Sequence, residues 1–245
     1  MMRKLLSLGL AATTVISNPV EIHNETNDKE FIKYSVVEEQ NNDVDVVVRC
    51  GEFDGKAGKR IYCNISQLNI PNDIPIHYDK NGSYIAEFDI NNKISTQLHR
   101  KLSEKGLNSV LQIANGKSED LNAAGRIAKE SNPDVYLSIH TNAYAEDSEG
   151  YFFMYNSGDF KSEKVANELS KAMTNDMVKT NNNRINEDYY VGELSEFKGE
   201  DCIAILGELG YYSNLNELQK IISDEYVEYI TDQMANELYD VVNNK

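Results

Sequence analysis

The sequence predicts an α/β fold, a single-domain sandwich with a mostly parallel central sheet flanked by helices. Two observations carry this prediction. Strand-length β-branched runs alternate along the chain with stretches whose apolar residues recur every three to four positions. Gly51, Gly106 and Asn132-Pro133 then fall where such elements should stop. At 245 residues and 40% hydrophobic content, the chain can bury a sizeable core.

Arg3 and Lys4 precede a softly apolar stretch, 5–16, and Val15-Ile16-Ser17 offers residues that a signal peptidase accepts. Residues 1–17 therefore read as an export signal, the alternative being a buried N-terminal helix. Residues 18–43 are polar and acidic, a flexible lead-in with room for one short element at 31–37. The ordered domain is expected over 44–245. Residues 44–50 (VDVVVRC) suit a buried strand, and 51–86 are irregular and hairpin-like with a turn at Asn81-Gly82. Ile90, Ile94, Leu98 and Leu102 predict an amphipathic helix over 87–105, closed by Gly106. A strand at 109–113, a helix at 121–130 and strands at 135–139 and 151–155 follow. Val165, Leu169 and Met173 mark the next helix, and 203–206 the last strand. Ser223 is placed to cap a final helix carrying Val227, Ile230, Met234, Leu238 and Val241.

Several functions are disfavoured by composition. Acidic residues outnumber basic ones 40 to 24, a net charge of −16, which speaks against a large basic face for nucleic acid or anionic lipid. No run approaches the roughly 18 apolar residues of a membrane span. Three cysteines are too few for a disulfide scaffold. There is no repeat on the scale of about 20 to 50 residues that would signal an array of binding modules.

In an open α/β sheet, sites form at the C-terminal ends of strands. Ser138-Ile139-His140-Thr141-Asn142-Ala143 puts a histidine at such an end, Glu87 opens the first long helix, and Glu208 ends the last strand within AILGELG. Singly, each has an ordinary explanation. A strand-end histidine is commonly a hydrogen-bonded structural residue, and a glutamate in a first helical turn complements the helix dipole. Glu208 is harder to explain so, because an apolar strand gives an ionised carboxylate no favourable environment. Together the three residues fit a metal site.

The order of these segments resembles that of the zinc-dependent N-acetylmuramoyl-L-alanine amidases of the amidase_3 family, which cut peptidoglycan. In that family a strand leads into a Gly-His-Gly-Gly loop, a glutamate starts the first helix, and a Ser-Ile-His-Ala-Asn-Ala strand end follows an arginine. A Val-Glu-Leu-Gly-Phe-Leu-Ser-Asn segment closes the domain. Residues 121–143 (LNAAGRIAKESNPDVYLSIHTNA), 183–191 (NRINEDYYV) and 207–214 (GELGYYSN) carry the resemblance, which runs from about Val44 to the C-terminus. It implies that His140 and Glu87 bind the metal and that Glu208 is catalytic. Three protein ligands and an open position suit catalytic Zn2+. A carboxylate such as Glu208 can take a proton from water and pass it to the leaving amine.

The first ligand departs from the pattern. Where the family has Gly-His, this chain has Gly51-Glu52, so Glu52 stands in the histidine's place. Zinc accepts carboxylate oxygen. A set of Glu52, Glu87 and His140 would carry two negative charges, making zinc a weaker Lewis acid and allowing an oxygen-preferring metal such as Mn2+ to compete. His77 is the alternative first ligand, and a site without an intact metal set is the third possibility. His99 and His23 read as solvated surface residues. Cys50 and Cys63 bracket the Glu52 loop and can bridge it in an oxidising compartment, whereas Cys202 reads as a buried apolar residue. Tyr211 and Tyr212, beside Glu208, are candidates for sugar stacking, with core packing expected of at least one.

The resemblance implies an exported, extracellular, cell-wall-associated hydrolase of the amide bond between N-acetylmuramic acid and L-alanine. Peptidoglycan is its implied partner, with no nucleic acid and no membrane after signal removal. An acidic chain is repelled by anionic wall polymers, so a protein partner for wall targeting is a further possibility. The alternative function is a catalytically impaired amidase-fold protein that binds peptidoglycan or regulates an active partner; the substitution at Glu52 separates the two.

Overall fold

Side chains alternate across the first core strand: Val46 and Val48 belong to one apolar cluster and Val47 to another, as in a strand buried on both faces. That alternation recurs in the neighbouring strands and makes the sheet the middle layer of three. The computed structural model describes residues 33–36, 44–53, 59–62, 65–115, 121–173, 184–186 and 191–244. In chain order the elements are β1 (Lys33–Val36), β2 (Val46–Phe53), β3 (Arg60–Ile61), β4 (His77–Asp79), β5 (Gly82–Ala86), α1 (Glu87–Glu104), β6 (Ser109–Asn115) and α2 (Leu121–Glu130). There follow β7 (Val135–Asn142), β8 (Phe152–Tyr155), α3 (Phe160–Ala172), β9 (Arg184–Asn186), α4 (Gly192–Ser195), β10 (Ile203–Tyr211), α5 (Leu215–Ile221) and α6 (Asp224–Asn243).

The main sheet has the order β1-β6-β2-β7-β10-β8-β9, and its four central strands β6, β2, β7 and β10 are parallel. β1 pairs antiparallel with β6, so the short element expected within the lead-in is an edge strand, and sheet structure begins before Val44. A separate antiparallel sheet, β3-β5-β4, contains the hairpin expected at Asn81-Gly82, where Gly82 adopts φ +125°. Residues 1–32, with the expected export signal, lie outside the described residues. No helix among the described residues is long and apolar enough to cross a membrane.

Helix α1 is held at both ends. The Asp89 carboxylate accepts a hydrogen bond from the Ala86 N–H at 3.1 Å. At the other end Gly106, at φ +89°, lets Leu107 N–H reach back to the Leu102 carbonyl at 3.1 Å. Ile90, Ile94, Leu98 and Leu102 are fully buried in the core shared with α3 and α6. The expected Ser223 cap is present, its side chain accepting from Tyr226 N–H.

Strand β2 has β6 on one side and β7 on the other. Apolar residues of α1 join the cluster of Val46 and Val48, while Ala128 of α2 joins that of Val47, so the two crossovers run over opposite faces. A crevice must then open where β2 and β7 end, which is the general position for a site in an open α/β sheet. Register irregularities fall at this edge in both flanking strands, between Cys50 and Phe53 in β2 and between Glu208 and Tyr211 in β10. Such irregularities re-aim side chains beside sites.

Candidate active site

His140 lies near the end of β7, directly across the parallel ladder from Glu208 of β10. The resemblance placed both at one end of the sheet, and the register makes them neighbours. Glu87, at the first position of α1, is almost wholly buried. Its Oε1 stands 3.8 Å from His140 Nδ1, and its Oε2 lies 3.9 Å from Nζ of the exposed Lys59. These separations are ionic contacts, longer than hydrogen bonds.

Buried Asn91, one turn after Glu87, ties three elements together. Its Nδ2 donates to the Gly51 carbonyl at 3.2 Å and to Glu87 Oε1 at 3.5 Å, while its Oδ1 accepts from Thr141 Oγ1 at 3.2 Å. The ends of β2 and β7 and the start of α1 are thereby fixed relative to one another. Gly51 has a steric role as well: a Cβ built there would lie 2.5 Å from Cδ2 and Cε1 of His140. The imidazole therefore rests on the glycine backbone, and no other residue leaves it room.

A third carboxylate, not anticipated from sequence, completes the surroundings. Glu193 of α4 is fully buried, with Oε1 3.4 Å from His140 Nε2. Its Oε2 accepts a hydrogen bond from Tyr136 OH at 3.0 Å and pairs with Arg49 Nε at 3.2 Å. Arg49 is itself fully buried, on β2. Tight packing sets the position of α4. A Cβ on Gly125 of α2 would meet the Glu193 backbone, the Leu194 carbonyl accepts from Asn156 Nδ2 at 2.7 Å, and Phe197 stacks on Tyr136 at 4.7 Å.

Charge follows this geometry. Burial pulls the His140 pKa down, but the adjoining carboxylates of Glu193 and Glu87, with the charge of Glu208, outweigh it and raise the value to about 10. Burial pushes Glu193 up, and the Arg49 charge together with His140 overcomes that and holds it at about 2. An imidazole among three carboxylates is a position that favours positive charge.

His77, the alternative ligand, is committed elsewhere. Its Nε2 lies 2.8 Å from Asp89 Oδ2 and its ring stacks on Tyr84 at 5.1 Å, so it supports the N-terminal cap of α1. The side chain of Glu52 lies outside the described residues; its backbone belongs to β2, at the register irregularity. Among the described residues, no three His, Cys, Asp or Glu side chains form a group able to hold a metal ion. His99 is half-buried and bonded to Ser109 Oγ at 3.0 Å, a correction to its reading as a solvated residue, because α1 packs it against β6. His23 and Cys63 lie outside the described residues. Cys50 is a buried thiol whose pKa burial pushes up to about 12, so nucleophilic use of this sulfur is disfavoured; the considered bridge to Cys63 falls outside the described residues. Cys202, Tyr211 and Tyr212 are all buried, which leaves neither tyrosine as an open stacking surface.

Comparison with known proteins places this geometry in context. A family model described as "Amidase_3: N-acetylmuramoyl-L-alanine amidase" matches residues 76–240. The match takes in Glu87, His140, Glu193 and Glu208 but begins after Glu52, so it is shorter than the resemblance from Val44 expected from the motifs. An uncharacterized protein of Bacillus subtilis (strain 168), YqiI, is 29% identical over 162 residues, covering 63% of this chain and 74% of that protein. The crystal structure of an N-acetylmuramoyl-L-alanine amidase from Clostridium difficile 630 is similar with a TM-score of 0.60 at 22% identity, covering 84% of this chain and all (100%) of that one. The CwlD amidase from Clostridioides difficile, solved in complex with the GerS lipoprotein, has a TM-score of 0.61 at 18% identity, with 82% of this chain and 100% of that chain covered.

Proposed function

Since the chain belongs to the Amidase_3 family of N-acetylmuramoyl-L-alanine amidases, we propose that it is an exported, metal-dependent peptidoglycan hydrolase that cleaves the amide bond between N-acetylmuramic acid and the L-alanine of the stem peptide. The observation that carries this reading is the meeting of His140, Glu87 and Glu208 at the crevice end of β7 and β10.

The residues at this end of the sheet suit a divalent cation once Glu52 adds a third donor. Glu87 adjoins the imidazole at Nδ1, and its buried Oε2 has no hydrogen-bond partner among the described residues. Glu87 and His140 would hold the metal, with Glu52 as third donor and His77 retained by Asp89. When bound, zinc or a similar ion supplies Lewis-acid polarisation of the scissile carbonyl and acidifies water at neutral pH.

Glu208 does the proton work. It is half-buried in an otherwise buried strand, so its carboxylate is poised between the core and the crevice. It takes a proton from the attacking water and delivers it to the alanine nitrogen as the amide bond breaks. Asn91 keeps Glu87 and the β2 end in place throughout. Release from purified peptidoglycan of stem peptides with a new L-alanine N-terminus, abolished by Glu208→Gln in a folded protein, tests the proposal.

A second reading, a catalytically impaired amidase-fold protein that binds peptidoglycan or regulates a partner, rests on Glu52 standing where the family has its first metal-binding histidine. Stoichiometric binding of zinc or manganese would exclude it. The acidic charge is unfavourable for direct attraction to anionic wall polymers, and a neighbour solved with a lipoprotein supports adding a protein partner for wall targeting to the proposal.

A further inference from the structure

The buried carboxylate of Glu193 has no place in the mechanism above, yet it faces the same imidazole. His140 Nε2 and Glu193 Oε1 are both buried, neither has a hydrogen-bond partner among the described residues, and they face each other at 3.4 Å. A small rotation of the ring would close that gap to a hydrogen bond. On the opposite side of the ring, Nδ1 faces Glu87. We propose that Glu193 is a positioning residue: it accepts the Nε2–H of His140 and so presents Nδ1 as the metal-binding nitrogen.

Each component of this arrangement is itself held. Arg49 and the Tyr136 hydroxyl fix Glu193 Oε2, leaving Oε1 directed at the ring. Gly125 allows α2 to approach the Glu193 backbone closely, and Gly51 forms the floor under the imidazole. A metal-bound histidine commonly gives its second N–H to a carboxylate, which fixes the tautomer and the ring plane, and loss of that carboxylate typically lowers metal affinity by about 10- to 100-fold. The role in metal binding rests on the function proposed above, whereas the Nε2–H to Glu193 contact does not.

The test uses 15N-histidine NMR of the full chain, metal-free and after zinc addition, with His140 assigned among the four histidines. The expected result is an Nε2 that keeps its proton in both states, a zinc-shifted Nδ1, and a Glu193→Gln variant whose zinc affinity falls about 10- to 100-fold. Zinc bound through Nε2, or unchanged affinity and unchanged His140 signals in Glu193→Gln, would overturn the proposal. If Glu193→Gln does not fold, Arg49→Met combined with Glu193→Leu removes both charges together and is read in the same way. If wild type binds no zinc, the metal reading fails by itself. The metal-free spectra then decide the contact: His140 signals that move in the variant support it, and signals that do not move overturn it.

Discussion

Replacing Gly51 by alanine perturbs the site without touching any ionisable group. The added methyl would sit 2.5 Å from two carbons of the His140 ring, whereas ordinary contacts begin at 3.4 Å, so the ring or the strand must yield by about 1 Å. The strand resists, because the Gly51 carbonyl is held by Asn91, and Asn91 is in turn bonded to Thr141. The ring resists as well, lying between Glu87 and Glu193. Overpacking of this kind costs about 1–3 kcal/mol. At about 2–4 °C per kcal/mol for a chain of this size, the melting temperature should fall by a few degrees to about 12 °C. A displacement of about 1 Å at a reacting centre lowers rate by about 100-fold. Calorimetry should therefore show a folded, modestly destabilised protein, while peptide release and zinc affinity drop far more than the lost stability explains. Wild-type release and zinc affinity in a folded Gly51→Ala protein would refute the placement of His140 against this glycine.

Other perturbations separate the remaining parts. Glu193→Ala leaves the Arg49 guanidinium buried without its carboxylate and should lower stability by about 3–5 kcal/mol in denaturant titration, with Arg49→Met/Glu193→Leu recovering most of the loss. Because the folded-state pKa of Glu193 is depressed to about 2, its ionisation contributes stability that is fully present above the ordinary carboxylate value of 4.5 and is lost as pH falls towards 2. The gap in denaturation midpoint between wild type and Glu193→Gln should accordingly narrow across that window; a gap independent of pH would contradict the assignment. Asn91→Ala removes the donor to Gly51 and should cost about 1–3 kcal/mol by chemical denaturation while weakening zinc binding. His77→Gln should leave zinc stoichiometry unchanged, because Asp89 engages that ring; loss of the metal would restore His77 as a ligand.

Much of this was legible in the sequence. The four-residue spacing of Ile90 to Leu102 and the cap at Ser223 each describe a local arrangement, and each is present. The strand-end positions of His140 and Glu208 were readable because an imidazole and a carboxylate each interrupt an apolar run. Arg49 and Glu193 were not, since each reads locally as an ordinary charged residue and only the fold buries them against each other. The four residues of α4 are too few to show a period, whereas β1 was expected as a short element and only its pairing with β6 was not. Asn91 looked like one more polar position on an amphipathic helix; its spacing of one turn from Glu87 was the available signal. A buried arginine at the end of a β-branched run was the other, because such a charge requires a partner.

The most direct test of the account is a digest of purified peptidoglycan by the protein with zinc, after chelation, and after zinc is restored, read by mass spectrometry. The account predicts stem peptides bearing a free L-alanine amine, lost on chelation and regained with metal. No such peptides from a demonstrably folded protein, with either zinc or manganese present, would contradict it.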